Sequence, residues 1–406
     1  MSSMAKRWLL NRCLRCLQEA LERSRAGELQ PQLYDLEAVD ELMTVYVEQM
    51  VHVMRTWSTN LLKMDKDGQQ FEQTPEGMCR TDVPTDMFKM ITQQMTLAES
   101  SGLPKVVVRV CQGLVPVLDY YQTTLSRQIR DSWKTWEVEY LCAQVNDNAK
   151  CMELLDDIAE EIGGLVGDEW AEQIDFDSCL NGFLAASGTA GECIALSFFR
   201  DMKEVVDLMF DEVWFAEKIA NELLDSTVNF WEALYDMIPD PRYVKRIKNE
   251  TFHQIIFVYM KTILCKKAGG SFHVLSPEML AAIDEDLQLI EDTLIEETIV
   301  DEQVDARTGE KVTTSRKKGH LKPKTVGQGI DTVRDLLALM QCELDKFATV
   351  LTTVLEDAPD VNLGIVDRIL TVRGDIKVGA QIMRALVPRC ACNRGACDSP
   401  RSERRY

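Results

Sequence analysis

Repeats of seven residues with an apolar face dominate the chain between residues 82 and 162. Positions spaced by four and three residues fall on one face of a helix. In this stretch they form three such stripes: Phe88, Ile91, Met95 and Ala98; Val107, Val110, Leu114, Val117 and Tyr121; and Leu141, Val145, Asn148, Met152, Leu155, Ala159 and Ile162. The pattern predicts three helices in series that bury their stripes in a bundle, with Pro84 near the start of the first.

Helical spacing also recurs on both sides of this stretch. One seam keeps the alternation of three and four without interruption, through Ile330, Val333, Leu337, Met340, Leu344, Phe347, Leu351 and Val354. No window alternates apolar and polar residues as a half-buried strand would. The sequence therefore predicts an all-α protein whose tandem helical bundles form an elongated rod.

The strongest punctuation of the chain is Ile238-Pro239-Asp240-Pro241, because two prolines so close together prevent a continuous helix. We place a domain boundary near Pro239. The predicted segments are an N-terminal amphipathic helix and linker (1–34), a first helical bundle (35–238), a second helical bundle (239–388) and a disordered basic tail (389–406). Within the second bundle, a charged insertion at about 296–325 is expected to be solvated and disordered.

Charge and cysteine usage narrow the classes of function. The net charge of −21 and the pI of about 4.7 argue against a nucleic-acid partner. Several cysteines, such as Cys111, Cys142, Cys151 and Cys342, fall in apolar helical segments, where Cys behaves as a small hydrophobic residue. Without a secretory signal or a run of 18 apolar residues, we expect a protein of a reduced cytosol.

Candidate chemistry is sparse. Asp156-Asp157-x-x-Glu160 resembles the magnesium site of all-α prenyl and terpene synthases, but it flanks the stripe at Leu155 and Ala159, where solvated acids are equally expected. The clusters Cys13-x-x-Cys16 and Cys390-x-Cys392-x4-Cys397 could be zinc or redox groups. A closed zinc site needs four ligands, however, and no His lies near either cluster. We therefore predict no catalytic residue, no cofactor and no metal site, and keep a magnesium-dependent all-α synthase as a remote alternative.

Two further features have alternative interpretations. Asn148 on the third stripe is either a polar residue in a solvated or hydrogen-bonded layer or a buried residue that fixes helix register. The basic run in the charged insertion is either a solvated loop or a surface that contacts an anionic membrane. The candidate membrane-contact residues of that run are Lys311, Arg316, Lys317, Lys318, Lys322 and Lys324.

Four stretches of the chain carry a resemblance to a known family. They are Asp82-Val83-Pro84-x-x-Met87-Phe88, Glu139-Tyr140-Leu141-Cys142-Ala143-x-x-Asn146-x-Asn148, the segment from Thr227 to Leu264, and Ile369-Leu370-x-x-Arg373-Gly374-Asp375. Together they resemble the C-terminal half of the exocyst complex component three family, also called Sec-six. The resemblance covers roughly residues 35–385. The sequence differs from that family in lacking its long N-terminal coiled coil and in having Pro116 within a helix that is usually uninterrupted.

The resemblance implies a non-enzymatic subunit of the exocyst, which tethers secretory vesicles to the plasma membrane before SNARE-mediated fusion. The partners that it implies are other exocyst subunits and SNARE proteins or their regulators, and anionic plasma-membrane lipid is a further candidate. It also implies a cytoplasmic protein that is peripheral at the plasma membrane. The alternative is a free-standing helical adaptor or SNARE regulator outside the exocyst.

Overall fold

The computed structural model describes residues 36–68, 70–265, 276–304, 311–343, 345–357 and 363–373. They form two compact units: unit 1 comprises residues 36–200 and 229–250, and unit 2 comprises residues 201–228 and 251–373.

The elements up to Asp201 are α1 (Leu36–Gly68), β1 (Glu72–Gln73), β2 (Cys79–Arg80), α2 (Val83–Glu99), α3 (Pro104–Ser132), a 3-10 helix (Trp133–Thr135), α4 (Val138–Val166), α5 (Asp168–Ala171) and α6 (Phe176–Asp201). They are followed by α7 (Lys203–Asp207), α8 (Glu212–Ala216), α9 (Ile219–Met237), α10 (Pro241–Leu264), α11 (Pro277–Leu294), β3 (Glu297–Val304), β4 (Lys311–Lys318), α12 (Pro323–Gln341), α13 (Phe347–Asp357) and α14 (Leu363–Arg373).

The all-α class is confirmed, and both units are built from packed helices. The predicted N-terminal helix and C-terminal tail lie outside the described residues. The end-to-end arrangement of the bundles into a rod stays a prediction.

The proline pair ends α9 and starts α10, as its sequence predicts. Pro241 is the first residue of α10, where a missing backbone N–H costs no helical hydrogen bond. The compact units are not divided there, since residues 229–250 belong to unit 1 on both sides of Pro239. The domain boundary near Pro239, between helical bundles at 35–238 and 239–388, stays a prediction.

The three predicted stripes on α2, α3 and α4 form the core of unit 1. Every predicted position on α2 and α3 is buried, and so are Leu141, Val145, Asn148, Leu155 and Ile162 on α4. Met152 and Ala159 are only half-buried, because Cys151 and Ile158 fill those layers instead. A helix with 3.6 residues per turn drifts against a strict seven-residue repeat, so the buried face of α4 is broader than the repeat suggests.

Pro116 does not interrupt α3, contrary to expectation. The helix continues to Ser132, and Pro116 lies on its exposed side. A proline is tolerated there because solvent reaches the backbone carbonyl that loses its helical hydrogen bond.

The glycine-rich stretch at residues 182–191 lies inside α6, a central helix of unit 1. Phe183 on α6 is fully buried, with its ring centroid 6.5 Å from that of Phe88 and 6.4 Å from that of Tyr121. Within the described part of the chain, α6 is the one helix whose length and composition would suit a membrane span, but 67% of its apolar window is buried inside the protein. A core helix has the same properties, so this is weak evidence for a span.

In unit 2, the long seam from Ile330 to Val354 is divided between two helices. Its positions Ile330, Val333 and Leu351 are buried as predicted, but α12 ends at Gln341 and α13 begins only at Phe347. The apolar periodicity continues across this interruption and does not predict it.

The charged insertion was expected to lack regular structure, and that expectation is wrong for its backbone. Strands β3 and β4 pair antiparallel, with Glu297 opposite Lys318 and Val304 opposite Lys311. β-branched residues such as Ile299, Val300 and Thr313 favour strands.

The base of this hairpin is fixed by the backbone around Leu321. The amides of His320 and Leu321 donate to the carbonyl of Leu294, and the amide of Glu296 donates to the carbonyl of Leu321 at 2.7 Å. Gly319 has a φ of +95°, and a Cβ at this position would clash with the carbonyl oxygen of Ile295. Only glycine fits this junction.

Candidate interaction surface

The Leu-Cys-Ala-x-x-Asn run that carries most of the resemblance lies on α4 and joins three segments of unit 1. The side-chain amide of Asn146 donates to the carbonyl of Cys79 at 2.7 Å and to that of Met237 at 2.8 Å. These carbonyls belong to β2 and to the last residue of α9. Asn146 therefore links α4 to segments that are distant in sequence.

The neighbouring Asp147 fixes the start of α2. Its carboxylate accepts hydrogen bonds from the Thr81 amide at 3.0 Å and from the Thr81 hydroxyl at 2.6 Å, and Thr81 Oγ1 in turn accepts from the Val83 amide. Asp82 makes no side-chain cap of its own. Asp147 thus organises this helix start from another element.

Asn148 is buried, which excludes a solvated layer at this position. Only 1% of its surface is exposed, and its amide donates to the carbonyl of Gln144 at 2.7 Å. Its Oδ1 atom has no hydrogen-bond partner among the described residues. The hydrogen bond to Gln144 fits a hydrogen-bonded layer, and the role in helix register stays a prediction.

Arg373, from the closing motif, lies where the long seam breaks. Its Nη1 and Nη2 donate to the carbonyls of Leu339 and Cys342, each at 2.7 Å, and its guanidinium lies 5.4 Å from the centroid of the Phe347 ring. The last carbonyls of a helix have no partner within it. Arg373 therefore supplies hydrogen-bond donors at the end of α12 and stabilises this helix end.

The described cysteines are free thiols, and six of them are buried. Burial raises the pKa of Cys79 and Cys179 to about 11 and that of Cys111 and Cys193 to about 12. It raises the pKa of Cys142 and Cys151 well above the ordinary value. Such thiols pack as apolar groups and are poor nucleophiles. Cys265 and Cys342 are half-buried, unlike these six. The cysteine clusters at 13–16 and 390–397 lie outside the described residues.

The acidic trio considered as a magnesium site lies on the surface of α4. Asp156, Asp157 and Glu160 are all exposed. In the part of the chain that the structure describes, no three His, Cys, Asp or Glu residues are grouped as metal ligands would be. The structure therefore gives no support to the synthase alternative.

The six candidate membrane-contact residues occupy two adjoining places in unit 2. Lys311, Arg316, Lys317 and Lys318 belong to β4, whereas Lys322 and Lys324 are exposed at the start of α12. The register of the hairpin sets β4 beside the acidic strand β3. The structure thus places four of the six on one strand, which pairs with the acidic strand, and the other two just after it.

A half-buried carboxylate in unit 2 was missed from the sequence. Asp286 on α11 accepts a hydrogen bond from Trp214 Nε1 at 2.8 Å and a longer one from the Tyr259 hydroxyl at 3.5 Å. Burial, with a smaller contribution from Glu285, raises the pKa of Asp286 to about 6 against the lowering effect of these two hydrogen bonds. Asp286 lies among the apolar positions Ile283, Leu287 and Ile290, and that acid on an apolar stripe was the available signal.

We expect Asp286 to make unit 2 less stable as the pH rises from about 4 to about 6. Between these values the folded state keeps a proton that the unfolded state releases, so stability falls with rising pH and then levels off. After allowance for partial solvent exposure, the expected loss is about 1 to 2 kcal/mol. Denaturant melts of Asp286→Asn and of the exposed control Asp292→Asn across this range measure it. A difference between Asp286→Asn and wild type that does not grow with pH would contradict the expectation.

The comparisons with known proteins agree with the resemblance. Residues 16–378 match the family model described as exocyst complex component Sec6. Exocyst complex component SEC6 of Saccharomyces cerevisiae (strain ATCC 204508 / S288c) is 22% identical over 280 residues, which are 62% of this chain and 34% of that protein. The chain therefore spans about a third of the length of the curated relative that it matches.

Two solved structures share the fold. The crystal structure of the C-terminal domain of the exocyst subunit Sec6p has a TM-score of 0.66 at 18% identity, covering 90% of this chain and 96% of that one. The crystal structure of M-Sec has a TM-score of 0.53 at 11% identity, covering 92% of this chain and 58% of that one. Since the family model matches most of the chain, including both α4 and the hairpin region, the chain belongs to the exocyst complex component Sec6 family.

Proposed function

We propose that the chain acts as a non-enzymatic subunit of the exocyst, helping to tether secretory vesicles to the plasma membrane before fusion. The match to the Sec6 family over residues 16–378 is the observation that carries this proposal. The described geometry is compatible with it, because Asn146, Asp147 and Arg373, the polar residues of the resembling motifs, hold helices together.

The proposed partners are other exocyst subunits, together with SNARE proteins or their regulators, and the proposed location is the cytoplasmic face of the plasma membrane. Affinity purification of the tagged chain under mild conditions tests membership of the complex. We expect other exocyst subunits to be recovered with the wild type and equally with Lys150→Ala, a surface control. Recovery of SNARE proteins without any exocyst subunit would instead support the free-standing regulator.

We further propose that the basic residues of the hairpin region contact anionic lipid. Near an anionic membrane each Lys or Arg contributes about 1 kcal/mol, so six cations would supply several kcal/mol if they acted alone. The antiparallel register places β3, with Glu297, Asp301 and Glu302, beside the basic strand. We therefore expect transient docking that is weaker than six isolated cations would give.

Liposome sedimentation at low and high salt measures this contact. Changing Lys311, Arg316, Lys317, Lys318, Lys322 and Lys324 to Gln is expected to reduce pelleting on anionic liposomes at low salt. The control changes six other exposed lysines to Gln and so removes the same charge: Lys63, Lys89, Lys134, Lys150, Lys203 and Lys261. Equal pelleting of the wild type and the hairpin variant would show that the hairpin does not bind lipid.

A further inference from the structure

Two arginine side chains of unit 1 converge on the same turn of α6. Arg130, in the last turn of α3, donates from Nη2 to Thr189 Oγ1 at 3.1 Å. Arg246 on α10 lays its guanidinium over Gly188, where a Cβ would be 2.6 Å from Cζ and 2.8 Å from Nη1. Since Gly188 and Thr189 are consecutive, the two guanidinium groups flank one small area, which we call the two-arginine site.

Neither guanidinium group has a carboxylate partner within the described ranges. Arg80, Arg242 and Arg334 do form salt bridges with acids. Glu192 lies one turn beyond Gly188 on α6, yet no salt bridge joins it to Arg130 or Arg246 among the residues described. In a chain with 66 acidic and 45 basic residues, two unpaired arginines beside each other leave a local positive charge on an acidic protein.

The surroundings of the site increase this positive charge. Lys245, exposed on α10, directly precedes Arg246, and the first turn of this helix contains no acid. Two adjacent cations repel each other. An anionic group bound beside Arg246 would relieve this repulsion.

The geometry also indicates how an anion would be held. Arg130 and Arg246 are exposed, whereas Gly188 and Thr189 beneath them are buried, so the guanidinium groups lie against a floor formed by α6. Thr189 fixes one group, and the absence of a side chain at Gly188 lets the other approach closely. Planar guanidinium groups held in this way suit bidentate pairing with carboxylates.

We propose that the two-arginine site docks an acidic segment of a partner protein, whose Asp or Glu carboxylates pair with Arg130 and Arg246. A peptide fits better than a bilayer for an electrostatic reason. Two guanidinium groups supply only weak attraction toward an anionic bilayer, whereas a short acidic segment meets mainly the local charge within a Debye length of about 8 Å. This proposal holds for any protein partner and does not depend on membership of the exocyst.

The test uses the full chain and fluorescein-labelled decaglutamate, with binding followed by fluorescence anisotropy at low and physiological ionic strength. We expect the double variant Arg130→Gln/Arg246→Gln to weaken binding by about fivefold to tenfold, as expected for two exposed ion pairs. The control Arg80→Gln/Arg242→Gln removes the same charge from arginines that already have acidic partners, and is expected to bind like the wild type.

Two further variants separate the site from charge and from folding. Gly188→Ala pushes the flexible end of Arg246 off its floor without changing the charge, and an intermediate loss is expected. Arg130→Lys/Arg246→Lys keeps the charge but loses the fork of donors, so it is expected to restore only part of the binding. Thermal melts verify that each variant folds.

Equal losses in the Arg130/Arg246 and Arg80/Arg242 double variants would overturn the proposal, because they would show attraction by overall charge alone. It would also be overturned if decaglutamate binding were unaffected while the Arg130/Arg246 variant lost binding to vesicles that contain phosphoinositides. That result would assign the site to a lipid headgroup.

Discussion

Truncation of Leu155 to Ala is expected to lower the free energy of unfolding of unit 1 by about 2 to 5 kcal/mol, as it does for other buried leucines. Leu155 is 1% exposed and lies in the middle of the buried face of α4. The change removes apolar contacts and leaves a cavity that the surrounding helices only partly fill. Denaturant melts followed by circular dichroism measure the loss in the transition of unit 1.

Met152→Ala on the same helix is the matched control for Leu155→Ala. Met152 is half-buried, so its truncation is expected to cost less than half as much. Equal costs of Met152→Ala and Leu155→Ala would mean that Met152 belongs to the core, as the seven-residue repeat predicts and the structure does not show. A cost for Leu155→Ala below about 0.5 kcal/mol, the range of surface substitutions, would show that this face is not core.

Replacement of Asn146 by Ala is expected to destabilise unit 1 by about 2 to 3 kcal/mol. The side-chain amide satisfies two backbone carbonyls, those of Cys79 and Met237, and each unmade hydrogen bond costs about 1 kcal/mol or more. Asn146→Asp should be at least as damaging, because a carboxylate would face two carbonyl oxygens. Melts of purified variants give both values.

Lys150→Ala, one turn further along α4, controls for any change on this helix. Lys150 makes only an exposed ion pair with Glu153, so a change within about 0.5 kcal/mol is expected. If Asn146→Ala were as mild as Lys150→Ala, Asn146 would not be joining the three segments.

Periodicity was sufficient to predict the helices and most of the core, because burial of one face is a local property of a sequence. It gave the stripes on α2 and α3 correctly and placed the α4 stripe one residue off at Met152 and Ala159. It was insufficient where a contact joins residues that are distant in sequence. Arg373 caps the end of α12 from a position 31 residues beyond Cys342, so no local window contains this contact.

For the polar residues, too, the sequence indicated which residues to examine but not which atoms they contact. The resemblance identified Asn146 and Arg373, but what they do depends on carbonyls 91 and 34 residues away. The basic run was visible in the sequence, whereas its pairing with an acidic strand required the register of β3 and β4. Arg130 and Arg246 had no sequence signal, because they meet only where α3 and α10 both contact α6.

The two units alternate along the chain, and this has a consequence for biosynthesis. Residues 201–228 leave the ribosome before residues 229–250, which complete unit 1, and Asn146 finds the carbonyl of Met237 only then. The hydrogen bond from Trp214 to Asp286 forms later still, because Asp286 must first be translated. We therefore expect the nascent chain to expose the apolar residues around Trp214 while unit 1 closes, which makes this segment a target for chaperones during synthesis.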